Sequence, residues 1–416
     1  MKNQPVLLLL ILSLIFCIGC EAKAPAETDW PTEYSMGLND SILRDGGEVY
    51  YYGHSDYMYV INRDSSAGHF LCQKPNCQHV VTAYHTPDQE ECDAYMGFGQ
   101  MIPQFFFYHN RLYVFQTDAW KKATGQTATV LCEMDSTGQN RRTLFALTES
   151  KRVIQSIMHR GTIYAVTLKY DLLGQPLFEL YQISMNRPFS RWSTQPELLF
   201  AFDHDAITVN GLTAKNTYLY YTIVKQDSDS GQIIVSLERL NMESGERIEI
   251  EPMEDGWYCL ETLFMGDRLL TTQATYASLN DTTQLPKKRV VSSEPEGVNP
   301  RIIVEDRGFF AADERYLYCV WLNINPDGEG DPSAVILYDA NGQEIDRIVL
   351  RQLPGIQSNQ TVSLCNLFPT DGDAVFMVVR PTEAVEDYVY SFPKSKIGSK
   401  SIEPVLIMSC EILHSD

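Results

Sequence analysis

Residues 109–115 read HNRLYVF, and this pattern of a polar turn followed by an alternating run with an aromatic residue recurs along the chain. The polar turn reverses the chain, and the alternation is typical of a β-strand with two differently packed faces. The copies cover residues 45–53, 109–115, 160–166, 215–224, 266–272, 313–322 and 371–379. The chain therefore contains seven copies of one short β unit.

The copies align on one position of the alternating run, which is Tyr50, Tyr113, Tyr164, Tyr220, Leu270, Tyr318 and Phe376. Successive aligned positions lie 48 to 63 residues apart, which leaves room for about four short strands, as in one β-propeller blade. A blade cannot bury both of its faces alone, so a ring of blades would make the core. We predict an all-β, seven-bladed β-propeller over residues 42–416, with the aligned residues on equivalent strands. A pair of β-sandwiches and a ring of six or eight blades are the alternatives.

The N-terminus predicts export. Residues 1–20 read MKNQPVLLLLILSLIFCIGC, and residues 5–19 form an uncharged run of 15 residues. That run is short for a spanning helix and fits the core of a signal peptide. Its end resembles the bacterial lipobox, in which a small residue precedes a cysteine that receives diacylglycerol, although Cys17 departs from the usual leucine. We expect a signal peptide over residues 1–19, a lipidated Cys20, and a flexible tether over residues 20–41 that holds the protein at the outer face of the cell membrane. An ordinary signal peptide cut elsewhere and a retained N-terminal anchor are the alternatives.

The longest interval between copies contains an insertion at about residues 69–100, which holds Cys72, Cys77, His79 and Cys92. Three thiolates and one imidazole can complete a tetrahedral zinc shell. An exported chain can instead form one disulfide among the three cysteines, which leaves an odd thiol. The third interpretation is reduced cysteines that pack as small hydrophobic side chains. The spacing leaves all three open.

The insertion is similar to a segment found in clostridial lipoproteins of the propeller type; the matching residues are Cys72, Pro75, Cys77, His79, Cys92, Ala94 and Tyr95. The repeats resemble those of Gram-positive extracytoplasmic propeller lipoproteins, a group without an assigned function. The resemblance implies a lipid-anchored propeller and names no ligand.

The composition excludes some functions. The formal net charge is −21, and the basic residues form only small isolated groups, whereas nucleic acid binding needs clustered Lys and Arg. No nucleophile elbow, HExxH, P-loop or dinucleotide-binding motif is present, so we assign no catalytic residue. The expected function is a membrane-anchored extracytoplasmic module that binds a ligand or a protein partner. A carbohydrate-active hydrolase or lyase on the same scaffold is the alternative.

Overall fold

The computed structural model describes residues 41–63, 67–79, 91–97, 104–117, 129–147, 151–185, 195–227, 230–275, 287–306, 308–320, 334–357, 360–381 and 386–411. Their strands form seven four-stranded antiparallel sheets, and each sheet is built from four consecutive strands in chain order. These sheets are the seven predicted blades.

The first three blades cover the N-terminal half of the ring. Blade 1 comprises β1 (Ser41–Asp45), β2 (Val49–His54), β3 (Tyr57–Asn62) and β4 (Gly68–Phe70). Blade 2 comprises β5 (Phe105–Tyr108), β6 (Arg111–Gln116), β7 (Val130–Asp135) and β8 (Arg142–Ala146). Blade 3 comprises β9 (Arg152–His159), β10 (Thr162–Tyr170), β11 (Pro176–Ser184) and β12 (Glu197–Ala201).

Four further blades complete the ring. Blade 4 comprises β13 (Ala206–Lys215), β14 (Tyr218–Gln226), β15 (Ile233–Asn241) and β16 (Arg247–Ile250). Blade 5 comprises β17 (Trp257–Met265), β18 (Arg268–Thr275), β19 (Lys288–Ser293) and β20 (Arg301–Glu305). Blade 6 comprises β21 (Gly308–Ala312), β22 (Leu317–Val320), β23 (Ala334–Tyr338) and β24 (Glu344–Val349). Blade 7 comprises β25 (Val362–Pro369), β26 (Ala374–Pro381), β27 (Glu386–Pro393) and β28 (Val405–Glu411). The only helical elements in the described residues are two 3₁₀ turns, Leu350–Gln352 and Lys394–Lys396.

The first strand of each blade lies on the inside of the ring, where first strands of neighbouring blades contact one another. At the junction of blades 2 and 3, the Ser156 hydroxyl donates to the side chain of Gln104, which precedes β5, at 2.6 Å. Among the described residues, the ring closes by packing of blade 7 on blade 1, where the rings of Phe376 and Tyr50 lie 4.9 Å apart, and each of these two blades is a separate sheet. Apolar side chains between adjacent blades therefore form the core, as expected for repeats that cannot fold singly.

All seven aligned residues lie on the second strand of their blades, as predicted. In blades 2 to 7 the aligned side chain packs toward the next blade. Blade 1 differs by one residue, because Tyr50 packs back on blade 7 whereas Tyr51 stacks on Phe107 of blade 2 at 5.1 Å. The equivalent of Tyr220 is therefore Tyr51. Side chains alternate between the two faces of a strand, so a shift of one residue reverses the face.

The direction of the strands determines on which of the two faces of the ring each connecting turn lies. Since neighbouring strands are antiparallel, the turn between the second and third strand of each blade lies on the same face as the N-terminal end of β1. We call this the N-terminal face. The turns between the first and second and between the third and fourth strands lie on the opposite face.

Candidate metal centre

Blade 1 has an outer strand, β4, of only three residues, which pairs with residues 59–61 of β3. The insertion continues along the remaining edge of β3. The Leu71 amide donates to the Met58 carbonyl at 2.9 Å, and the Met58 amide donates to the Ala94 carbonyl at 2.9 Å. Tyr57 forms a β-bridge with Tyr95. Residues 71 and 94–96 thus satisfy backbone groups that a longer outer strand would have paired, because buried amides and carbonyls need partners.

The four predicted ligands converge beside this edge. One donor atom from each residue lies within 4.8 Å of all the others, and the group consists of Cys72, Cys77, His79 and Cys92. We call it the Cys/His cluster. The Cys92 sulfur lies 3.5 Å from His79 Nδ1. Two ligands at zinc bond lengths of 2.3 and about 2.05 Å, separated by a tetrahedral angle, would lie about 3.6 Å apart. The arrangement is therefore close to that of a tetrahedral S₃N site.

Two local features bring His79 to the cysteines. The Cys77 amide donates to the Lys74 carbonyl at 3.2 Å, which turns the chain after Cys72. His79 then adopts a left-handed backbone conformation with φ of 48°, which is uncommon for a residue with a side chain and is concentrated at functional sites. The imidazole stacks on Phe70, with ring centroids 4.6 Å apart and planes at 16°. The ring is thus held between β4 and the three sulfurs.

Hydrogen bonds favour the thiolate form of Cys72. Burial acts against its ionisation, but the backbone amides of Lys74 and Asp93 and the thiols of Cys77 and Cys92 donate to its sulfur, and the net effect lowers its pKa. A metal-bound cysteine is a thiolate, so this environment already supports the form that a metal requires.

Cys92 and His79 respond mainly to burial. Burial raises the pKa of the Cys92 thiol to about 12 and lowers the pKa of His79. His79 is therefore held neutral, which is the form that can donate a lone pair to a metal. A buried thiol such as Cys92 is ionised most readily when a cation is bound beside it.

The insertion also contacts blade 2. Arg141 donates from Nη1 to the Tyr95 carbonyl at 2.6 Å and from Nη2 to the Asp93 carbonyl. Gly138, in the turn between β7 and β8, has φ of +79°, and a Cβ there would lie 2.7 Å from the Asp93 carbonyl oxygen and 2.8 Å from a Leu71 methyl carbon. The turn therefore fits closely against the insertion, and the cluster lies at the seam between blades 1 and 2.

Charged side chains line a cleft beside the cluster. Lys74 pairs with Asp93 at 2.9 Å, and the Gln139 amide donates to the Asp93 carboxylate at 3.2 Å. The cleft has a volume of about 390 Å³ and also includes Cys92 in its wall. The cleft therefore lies directly beside one of the four cluster residues.

The remaining cysteines of the described residues lie outside the cluster. No disulfide joins any of the described cysteines. Five of them are buried outside the cluster: Cys132, Cys259, Cys319, Cys365 and Cys410. Within the described ranges, the Cys/His cluster is the one group of His, Cys, Asp or Glu side chains with metal-binding geometry. Cys20, the signal peptide and most of the tether lie outside the described residues.

Arg141 and Gly138 belong to this site, although no pattern in the sequence predicts it. Arg141 was one of the small basic groups in the chain, and residues 136–138 were recognisable only as a hairpin turn. Neither signal shows that they contact a segment more than 40 positions earlier. In the described residues, no helix is long and apolar enough to cross a membrane.

The fold has known counterparts among solved structures. A prolyl endopeptidase aligns with a TM-score of 0.51 and 12% identity, over 91% of this chain and 50% of that one. An acylaminoacyl peptidase aligns with a TM-score of 0.50 and 10% identity, over 88% of this chain and 52% of that one. The β-propeller domain of the Trilobed protease from Pyrococcus furiosus aligns with a TM-score of 0.48 and 10% identity, over 86% and 94%.

The chain spans about half the length of the two peptidases that it resembles. At these identities the likeness establishes the propeller fold alone. No protein-family model matches the sequence, and no curated protein matches it.

Proposed function

We propose that the chain is a lipid-anchored extracytoplasmic binding module whose first blade is completed by a structural zinc site. The observation that carries the zinc proposal is the convergence of four donor atoms within 4.8 Å of one another. Three sulfurs with one imidazole nitrogen are a common donor set for structural zinc, and four protein ligands leave no open position for catalysis. A disulfide would use only two sulfurs and leave His79 without a role.

The surroundings suit a negatively charged zinc shell. Three thiolates and Zn²⁺ together carry one net negative charge. Lys74 lies next to the cluster in sequence and in the wall of the cleft, and the guanidinium of Arg141 lies in the same wall. Both cations therefore stand where they offset that charge. Arg141 also holds the Asp93 carbonyl against blade 2, and Lys74 pairs with the Asp93 carboxylate within the insertion.

Metal analysis of the purified full chain tests the site. We expect about one zinc per chain, and the three cluster thiols should become reactive toward a thiol reagent only after chelation. His79→Ala should weaken zinc binding at least about tenfold, since one of four ligands is lost. His69→Ala is the matched control, because His69 is an exposed histidine of the same segment outside the cluster. Zinc-free protein in which two thiols appear only after reduction would contradict the proposal and support a disulfide.

The membrane anchor is proposed from the sequence. The apolar run of residues 5–19 ends at Gly19 and Cys20, in the arrangement of a lipobox. Diacylglycerol on a cysteine, with a further acyl chain, holds a protein stably at a bilayer. Cys20→Ala should abolish incorporation of a fatty acid analogue and leave either precursor or released protein. Label retained on the Cys20→Ala protein would contradict lipidation there.

The binding role is proposed from the fold. A propeller presents loops from every blade on each face around its axis, which suits recognition of a ligand or a protein partner. Incubation of the full chain with cell-surface polysaccharides separates this role from the carbohydrate-active alternative. A binding module shows retention without change in polysaccharide length, and the appearance of shortened products would contradict it.

A further inference from the structure

The hairpin between β10 and β11 carries two leucines at its tip that no part of the described structure covers. Leu172 and Leu173 have relative exposures of 105% and 84%, and neighbouring Tyr170 is 63% exposed. The next most exposed large hydrophobic side chains in the described residues reach only 49%. Three adjacent apolar side chains of this exposure are unusual for a surface that faces only water, and such patches mark interaction sites.

The tip has a defined conformation. The Asp171 amide donates to the Gln175 carbonyl at 3.0 Å, and the Gly174 amide donates to the Asp171 carbonyl at 3.1 Å. The Asp171 carboxylate accepts hydrogen bonds from the Leu173 and Gln175 amides, each at 2.8 Å. The turn therefore fixes both leucines outward, and the charge of Asp171 is engaged by backbone donors within the turn.

The hairpin is a regular two-stranded ribbon up to its turn. β10 and β11 are nine residues long and pair along their full length, up to Tyr170 opposite Pro176. As the turn between a second and a third strand, it lies on the N-terminal face, where β1 begins. The leucines and the start of the propeller thus share one face of the ring.

We propose that Tyr170, Leu172 and Leu173 insert into the lipid surface to which Cys20 anchors the chain. The proposal rests on the proposed anchor. Twenty residues separate Cys20 from Ser41, and a flexible chain of this length has a root-mean-square span of roughly 25 Å. The N-terminal face is therefore kept within reach of the bilayer, and the exposed apolar tip lies on that face.

Charge explains why the contact would be apolar. The protein carries a net charge of −21, so attraction to anionic lipid headgroups does not draw it to the surface. The cation nearest to the tip in sequence, Lys169, lies 3.2 Å from the Glu179 carboxylate. Insertion of leucine and tyrosine side chains is the mode of membrane contact that remains favourable for such a surface.

Tryptophan quenching by brominated lipids tests the insertion. The full lipidated chain is reconstituted into vesicles of phosphatidylcholine and phosphatidylglycerol, with and without bromine on the acyl chains. Leu172→Trp adds an indole at the tip, and the fully exposed side chain makes a folding defect unexpected. Val298→Trp is the matched control, because Val298 is an exposed apolar residue in a turn on the opposite face. Native tryptophans contribute equally to both proteins, so the increment over wild type is measured.

We expect bromolipids to quench the added indole of Leu172→Trp at least twofold, with a blue-shifted emission, and to leave that of Val298→Trp unchanged. Flotation of the vesicles reports anchoring separately. Protein that floats with an unquenched indole at position 172 would overturn the insertion and leave the anchor intact. A blue shift without quenching would also overturn it and indicate a protein contact at the tip. Protein that does not float would overturn the anchor and the insertion together.

Discussion

The seam between blades 1 and 2 and the seam between blades 4 and 5 share one hydrogen-bonding arrangement but differ in the segment that forms the outer edge. In both, a tyrosine on the second strand donates its hydroxyl to a carbonyl in the outer turn of the next blade. Tyr51 donates to Ser136 at 3.0 Å, and Tyr220 donates to Pro295 at 3.1 Å. The turn then rests on the outer edge of the preceding blade.

The two seams differ at that outer edge. In blade 4 the turn residue Gly297 lies against Ile250, which belongs to the regular outer strand β16. In blade 1 the equivalent glycine, Gly138, lies against Leu71 and Asp93 of the insertion. The insertion thus occupies the place of an outer strand, although only a few backbone hydrogen bonds tie it to β3.

The difference shows what the Cys/His cluster contributes. A strand is held by its ladder, whereas a loop must be closed against its conformational entropy. Cys72 and Cys92 lie 20 positions apart, and a crosslink across a loop of about that length contributes about 3 kcal/mol. We infer that a metal bound at the cluster holds the insertion against blade 1, as the backbone hydrogen bonds between β15 and β16 hold the outer strand of blade 4.

Removal of the metal should have the largest effect. Chelation, or the substitution Cys92→Ser, should lower the free energy of unfolding by about 3 kcal/mol, because the loop is no longer closed. Denaturant titration with and without chelator measures it. Cys132→Ala, at a buried thiol outside the cluster, should retain its response to chelator. Equal stability of the metal-loaded and chelated wild type would mean that the cluster does not hold the insertion.

Substitution of the two turn glycines tests whether the turn packs equally tightly on the preceding blade at both seams. Gly138→Ala and Gly297→Ala should each destabilise the protein by about 2–3 kcal/mol, since the new Cβ is strained by a positive φ and meets an atom at 2.7 or 2.5 Å. Gly245→Ala, at a positive φ with open space around it, should cost only about 1 kcal/mol. Thermal and denaturant unfolding give the values. A cost for Gly138→Ala as small as that for Gly245→Ala would show that the insertion does not pack on the turn.

At the seam between blades 4 and 5, which has no Cys/His cluster, a buried carboxyl group should make the stability of the protein depend on pH. Glu261 on β17 is next to Thr262, which donates to the Gly211 carbonyl of blade 4 at 3.3 Å, and burial raises the pKa of Glu261 to about 7. Because the folded pKa exceeds the unfolded one, the stabilising contribution of the protonated form is present below about pH 4.5 and is lost as the pH rises through 7.

Replacement of that carboxylate gives the corresponding measurement. Glu261→Gln should stabilise the protein by roughly 2 kcal/mol at pH 8 and by almost nothing at pH 4.5, since the amide stays neutral at both values. Unfolding free energies at the two pH values provide the test, and the effect should be the same with and without chelator. A stabilisation independent of pH would contradict this account of Glu261.

The smallest effect concerns the two tyrosine hydroxyls. Tyr51→Phe and Tyr220→Phe should each cost about 1 kcal/mol, the usual value of one such hydrogen bond. If the insertion and the turn of blade 2 dock together, chelation should reduce the cost of Tyr51→Phe and leave that of Tyr220→Phe unchanged. A double-mutant cycle with Cys92→Ser measures the coupling. Equal coupling at both tyrosines would remove the distinction between the seams.

The repeat pattern was sufficient to predict the propeller, because each second strand carries an alternating run after a polar turn. The predicted alignment was wrong by one residue at blade 1, where Tyr50, Tyr51 and Tyr52 are consecutive. A period of two cannot choose between neighbouring tyrosines. The contact with Phe107 and the hydrogen bond to Ser136 identify Tyr51 as the equivalent of Tyr220.

The cluster residues were also predictable, since the insertion is rich in cysteine and short. Their arrangement was not, because the same spacing permits a metal, a disulfide or simple packing. The contacts of Arg141 with the Asp93 and Tyr95 carbonyls depend on the positions of two blades, and no local pattern encodes a meeting of segments so far apart in sequence.

Hydrogen exchange of individual amides tests most directly whether a metal-held insertion replaces the outer strand of blade 1. The informative amides are those of Met58, Leu71 and Met96, which donate to Ala94, Met58 and Asp56. Chelation should increase their exchange on the order of 100-fold, as a local loss of about 3 kcal/mol requires, and should leave the amides of the β15–β16 ladder unchanged. Unchanged protection of the three amides after the metal is removed would contradict the account.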